Sequence, residues 1–307
     1  MMRDKIIARA KMLDTIRAFF STRGVMEVET PLLCSFSVTD IHMDSFRVDD
    51  RFLQTSPEYA MKRLLAENSG PIFQMCKSFR RDEAGKKHNP EFSMLEWYRP
   101  GFNHHQLMDE VNALFIETLA CGEALRLSYQ DIFKTHLLFD PFEENTEKLR
   151  EMVSDKNFVS PPLIPNLSRE DLLDLLFTHF IEPFLGLENS PVFVYDFPVE
   201  QAALAKIRHD HPPVGERFEV YMNGVELANG FHELTNAQEQ LQRFSNDQKK
   251  RAAENKFIPD IDHYFIEALK KGLPDCSGVA LGLDRLLMLK MGTHNIKDVL
   301  CFPWEII

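Results

Sequence analysis

The stretch ERFEVYMNGVELANGFHEL, residues 216–234, constrains this chain more than any other. Asn223-Gly224 is the dipeptide that favours a tight two-residue hairpin turn. With that turn, Met222 pairs with Val225 and Tyr221 with Glu226. Side chains alternate across a strand, so Glu219, Tyr221 and Glu226 share one face, and Val220, Met222, Val225 and Leu227 line the other. Glu233 follows at the same seven-residue spacing. Two glutamates close together on one sheet face repel unless something positive sits between them. Hard divalent cations such as Mg²⁺ prefer carboxylate oxygens and are often shared with phosphates.

A strand-loop-strand at 73–99 carries a second constellation. In FSMLEWY, Phe92, Met94, Glu96 and Tyr98 share one face, and Ser93, Leu95 and Trp97 the other. Arg80 and Arg81 end the partner strand, and the polar loop between holds Asp82, Glu83 and His88. An arginine at a strand end beside a cationic loop suits a phosphate, which guanidinium binds bidentately. The third element is GVALGLDRLLML, where Gly278 and Gly282 would let backbone approach a ligand closely, and Arg285 lies one turn into the following helix.

The remaining pattern predicts helices and strands in alternation. Ile6, Leu13, Ile16 and Phe20 form a helical face ended at Gly24, and VMEVE is a strand ended by Pro31. Ser56 caps a helix that has Pro57 and Glu58 in its first turn. Leu107, Met108, Val111, Leu114 and Phe115 mark another helix. A polar stretch with the irregular run SPPLIP leads into a helical insertion at about 141–190, followed by the strand VFVYDFP. Thr235 with Gln238 fits a capping box opening a charged helix. Hairpin-dominated strands with helices between them predict an antiparallel sheet flanked by helices, an α+β fold.

Length and charge narrow the function. A chain of 307 residues can bury a large core. Its net charge of -12 opposes a large nucleic-acid footprint, which rests on Lys and Arg. Five dispersed cysteines (Cys34, Cys76, Cys121, Cys276 and Cys301) read as reduced cytosolic thiols rather than a disulfide frame or zinc site. The amphipathic N-terminus is neither a secretory leader nor a membrane span.

In order, GVMEVETP, FRRDE-loop-HNPEFSMLEWY and GVALGLDR resemble the three signature motifs of class II aminoacyl-tRNA synthetase catalytic domains. TSPE at 55–58, HNPEF at 88–92 and ELANGFHEL at 226–234 resemble the lysyl branch. The resemblance spans residues 5 to 303. It implies a six-stranded antiparallel sheet flanked by helices, in a homodimer formed through the first motif. It also implies ATP as co-substrate, with Arg80 on the α-phosphate, Arg285 on the far phosphate and Phe92 stacked on adenine. Arg81, Asp82 and His88 fall in the nucleotide-binding motif, although the family commonly has Asn at the first position and Glu at the second. Glu219 and Glu226 match metal-binding acids for Mg²⁺, and Glu226, Leu227 and Gly282 lie against the nucleotide. Ser56, Pro57, Glu58, Glu96, Tyr98 and Glu233 match the amino-acid pocket.

The chemistry of such a pocket agrees. Converging buried acids need positive charge, and a diamino acid supplies two ammonium groups. The amino-acid carboxylate, with a pKa of about 3.5, is already ionised and can attack phosphorus directly. Arg80, Arg285 and Mg²⁺ stabilise the phosphate charge.

The first motif begins almost at Met1, so the reading expects one catalytic domain over 1–307 and no anticodon-binding domain. The whole pattern resembles the elongation factor P–(R)-β-lysine ligase family, in which a lysine side chain of elongation factor P, not tRNA, receives the activated amino acid. Ala280, where lysyl-tRNA synthetases typically have Gly, is a candidate for favouring a β-amino group over an α-amino group. A minimal lysyl-tRNA synthetase and a catalytically silent synthetase-like subunit are the alternatives. His88 and His232 are candidate bases for the transfer step. Lys62, Arg63, Lys86 and Lys87 are candidates for a basic rim that would dock an acidic partner.

Overall fold

A computed structural model describes residues 2–156, 159–160 and 162–307. Asn157, Phe158 and Pro161, the last of them in the run SPPLIP expected to be irregular, lie outside the described residues. The chain forms two compact units, residues 1–120 with 232–307 and residues 121–231.

In the first unit, the helix Met2–Thr22 buries Met12, Ile16, Phe19 and Phe20. Ile6, expected on that face, is 53% exposed, because the packed stripe covers only the C-terminal half of the helix. Phe20 stacks on Phe73 at 4.5 Å and meets Trp97 edge-on at 5.3 Å. These contacts seat the helix on the main sheet. The sheet's order is Met26–Glu27, Ile72–Phe79, Glu91–Pro100, Cys276–Gly282. The expected strand at VMEVE shrinks to Met26–Glu27, which runs parallel to its neighbour, while the other pairings are antiparallel. Trp97 faces the core and donates to Glu110 at 3.0 Å. The helix His104–Leu119 buries all five apolar residues of its expected stripe.

The second unit has its own core, in which Tyr129, Phe133, Leu149, Leu172, Leu176 and Phe177 pack together. The helices Thr146–Lys156 and Arg169–Phe180 fall inside the expected 141–190 segment. Its strands include Val192–Pro198, matching VFVYDFP, which pairs antiparallel with Val214–Met222 and parallel with Leu125–Ser128. Ile207–Arg208 and Val225–His232 also pair with Val214–Met222.

The architecture is α+β. It departs from six antiparallel strands in having more strands and two parallel pairings. Both parallel pairings involve short edge strands reached through a helix, a connection that two-residue hairpins cannot make. No helix among the described residues is long and apolar enough to cross a membrane.

Candidate active site

In the first unit three glutamates from distant parts of the chain share one buried cluster. Glu58 opens the helix Glu58–Ala66, where an acid is favoured by the helix dipole. Glu96 lies mid-strand and is 1% exposed. Glu233, also 1% exposed, is placed by its own N–H, which donates to Cys276 O at 2.9 Å. Ser56 does not cap the helix as expected. Pro57 is the N-cap, and Ser56 Oγ accepts from Glu58 N–H at 3.0 Å while donating to Glu96 at 2.7 Å. Tyr98, on the same strand face, donates to the other Glu96 oxygen at 2.6 Å.

The positive charge among these acids comes from Lys62. Expected on a solvated rim, it is instead 1% exposed, with Nζ 2.6 Å from Glu58 and 2.5 Å from Glu233. It stands one turn after Glu58, which is the only trace the sequence carries of this pairing. Burial lowers the lysine's proton affinity, but Glu233 and Glu58 outweigh it and the pKa ends above its ordinary value. Glu96 is pushed up to about 8, first by burial and then by Glu58. Glu233 is pushed up to about 7 by burial, with Lys62 opposing.

A Cβ at Gly278 would lie 2.2 Å from the Tyr98 ring and 2.6 Å from Glu233, so the bare backbone makes room for these two side chains. Ala280 pairs with Glu96 across the strands, which puts its methyl group beside the acid cluster. Gly282 lies next to the Arg285 side chain, with a would-be Cβ at 3.6 Å.

Arg80 follows its strand, with its guanidinium 5.2 Å from the centre of the Phe92 ring and 3.6 Å from Glu83. Its Nε is buried with no hydrogen-bond partner. Arg81 and Asp82 are both exposed and face one another at 3.5 Å, with Asp82 at φ 66°. Asp284 positions Arg285: it accepts from Ser93 N–H at 2.7 Å and pairs with Arg9, fixing the helix Leu283–Lys290 to the strand. Arg285 then donates to Lys87 O at 3.2 Å and meets His88 Nε2 at 2.5 Å. Burial and the Arg285 charge hold His88 below its ordinary pKa, so it is neutral at pH 7 and accepts this bond. His232, the other base candidate, contacts Asp275 at 3.0 Å.

In the second unit the Asn223-Gly224 turn forms with both residues at positive φ, and Tyr221 pairs with Glu226. The register then shifts, leaving Leu227 as an extra residue and setting Glu219 opposite Asn229. The sequence reading missed Arg217, two residues before Glu219 and so on its face. Arg217 pairs with Glu219, reaches Asn229 at 3.3 Å, and has its pKa raised by Glu219 against the effect of burial. Tyr221 also donates to Glu219. Strand alternation already put Tyr221 on this face, and two residues further back it would have found Arg217. Glu219 is 8% exposed, and Glu226 is half-buried.

Comparison with known proteins decides the family. A family model described as tRNA synthetases class II (D, K and N) matches residues 1–305. The chain belongs to this class II family. Among curated class II relatives, a Proteus mirabilis protein named elongation factor P–(R)-β-lysine ligase is 50% identical over 308 residues, covering 97% of this chain and 94% of the relative. A Salmonella arizonae protein of the same name is 49% identical over 307 residues, with the same coverage.

Proposed function

We propose that the protein activates (R)-β-lysine, or lysine, with ATP and joins it to a lysine side chain of elongation factor P. The buried Glu58–Glu96–Glu233 cluster within a class II frame carries the reading. It suits a guest with two ammonium groups, since a neutral amino acid would leave carboxylates uncompensated. The identity of about half to ligases bearing that name supports the acceptor.

The first step needs positioning more than acid-base chemistry. A substrate carboxylate oxygen attacks the α-phosphorus, and the bond to pyrophosphate breaks, giving an aminoacyl-adenylate. The amine of the acceptor lysine, having lost its proton, then attacks the carbonyl and AMP leaves. In this reading Arg80 and Arg285 bind the nucleotide phosphates, Phe92 stacks on adenine, and Arg81, Asp82, His88, Leu227 and Gly282 border the nucleotide. The unpartnered Arg80 Nε supports the first assignment, because a buried guanidinium N–H calls for an acceptor. Ser56, Pro57, Glu58, Glu96, Tyr98 and Glu233 form the amino-acid pocket.

Mg²⁺ belongs to the proposal, held by Glu219 and Glu226. Both are hard oxygen donors, and Glu219 already sits against a cation, Arg217. Bound there, the ion would offset charge on the phosphates. Ala280 beside Glu96 supports a preference for a β-amino group. Apolar side chains exposed along the first helix and in or just after the first motif, among them Met2, Ile6, Met26 and Leu33, support a homodimer. The reading further places the protein in the cytoplasm, without stable tRNA.

The test offers the activated enzyme both acceptors. Labelled β-lysine is expected on elongation factor P and not on tRNA. Label on tRNA alone would establish the lysyl-tRNA synthetase alternative, and no ATP–pyrophosphate exchange with any amino acid would establish the silent subunit.

A further inference from the structure

Lys62 is the one cation shown in direct ion-pair contact with the acid cluster among the described residues. It is as deeply buried as Glu96 and Glu233. The groups acting on it are Glu58 on its own helix, Glu233 after the hairpin, Glu96 on the strand Glu91–Pro100 and Cys276 on the strand Cys276–Gly282, while Tyr98 faces the three acids and His232 faces Glu233. Phe265 lies 5.9 Å from the ammonium on the remaining side. Three carboxylates and one fixed ammonium leave an excess of two negative charges when all are ionised. Two is the number of ammonium groups on a diamino acid.

We propose that Lys62 is the specificity-determining counter-ion of this pocket: by holding Glu58 and Glu233 it cancels one carboxylate charge and matches the remainder to a doubly cationic substrate. The inference rests on the diamino-acid reading above and adds to it a residue that acts through its neighbours. Lys62, Glu96 and Glu233 are each 1% exposed, so an unmatched charge among them is poorly compensated by water and the count of charges discriminates as sharply as shape. Without Lys62, two substrate ammonium groups would face three acids, and one acid would have to keep its proton in the complex for the charges to match. Lys62 also fixes where the acids point. Its two ion pairs join a helix start to the segment after the hairpin, so the pocket is assembled before substrate arrives.

The experiment compares wild-type protein, K62M and E58Q/K62M in ATP–pyrophosphate exchange with (R)-β-lysine, from pH 6.5 to 9. In K62M, KM for β-lysine is expected to rise about tenfold or more with kcat changed less than about threefold, the pattern of lost uniform binding. The pH at which KM reaches its plateau is expected to move upward by about one unit, because the acids have lost the cation that favours their ionised forms. E58Q/K62M restores the excess of two charges, and its pH limb is expected to return towards wild type, whatever the loss of the Glu58 carboxylate itself does to KM. It also removes one of the two acids that lose their cation in the single variant, so its pH limb can be read alone if K62M does not fold. Wild-type KM and an unmoved pH limb in K62M, or a double variant whose pH limb stays where the single variant puts it, would overturn the role of Lys62. Wild-type protein that exchanges with neutral amino acids and with no diamino acid would instead overturn the substrate reading, and Lys62 with it.

Discussion

Glu96 receives hydroxyl hydrogen bonds on both oxygens, yet holds its proton to about pH 8, because burial and Glu58 outweigh them. Glu233 behaves likewise to about pH 7. An unfolded chain would release these protons near the ordinary glutamate value of about 4.3. Between that value and about 8 the unliganded native state therefore binds more protons than the unfolded one, and its stability falls as pH rises. Replacing Glu96 with Gln removes this term. The stability of wild type minus that of E96Q, from denaturant titrations, is thus expected to decrease from pH 5 to pH 8, and an increase would contradict the assignment. Strand alternation made the shared face of Glu96 and Tyr98 legible. Lys62 was not legible in the same way, because a Glu-Lys pair one turn apart usually marks a solvated helix surface. Only the arrival of Glu233 from a remote segment makes that surface an interior.

At the scale of elements, turn chemistry carried the most information. Asn223-Gly224 specified its hairpin because few residue pairs tolerate two successive positive φ angles. The bulge at Leu227 was not visible, since a bulge is set by packing on both strands rather than by one residue. The cap of the long charged helix shows a similar limit. Thr235 and Asn236 are both competent caps, and alternation of side chains offers no choice between them. The structure selects Asn236, whose side chain accepts from the N–H groups of Gln238 and Glu239 on the helix Ala237–Ala253. Substituting Asn236 with Ala is expected to lower stability by about 1 kcal/mol, and Thr235 with Ala by clearly less. Equal effects in thermal unfolding, or a larger one at Thr235, would return the cap to Thr235.

At the scale of the whole chain, the ordered motifs indicated a class II catalytic frame and the three glutamates that cluster in the structure, because Glu96 sits on a regular strand, Glu58 opens a helix and Glu233 directly follows a hairpin strand. The parallel edge strands escaped, since short strands leave little periodicity to read. The proposed function is electrostatic at root: three glutamates and one lysine, two of the acids and the lysine 1% exposed, would accept two ammonium groups during ATP-dependent activation. The most direct measurement is ATP–pyrophosphate exchange by the wild-type protein with a panel of (R)-β-lysine, α-lysine, norleucine and glutamate. The account expects exchange with the two diamino acids, and with norleucine and glutamate rates lower by at least about a hundredfold, corresponding to roughly 3 kcal/mol for a buried charge left unmatched. Norleucine, which matches lysine in shape without its side-chain charge, exchanging as well as lysine would contradict it.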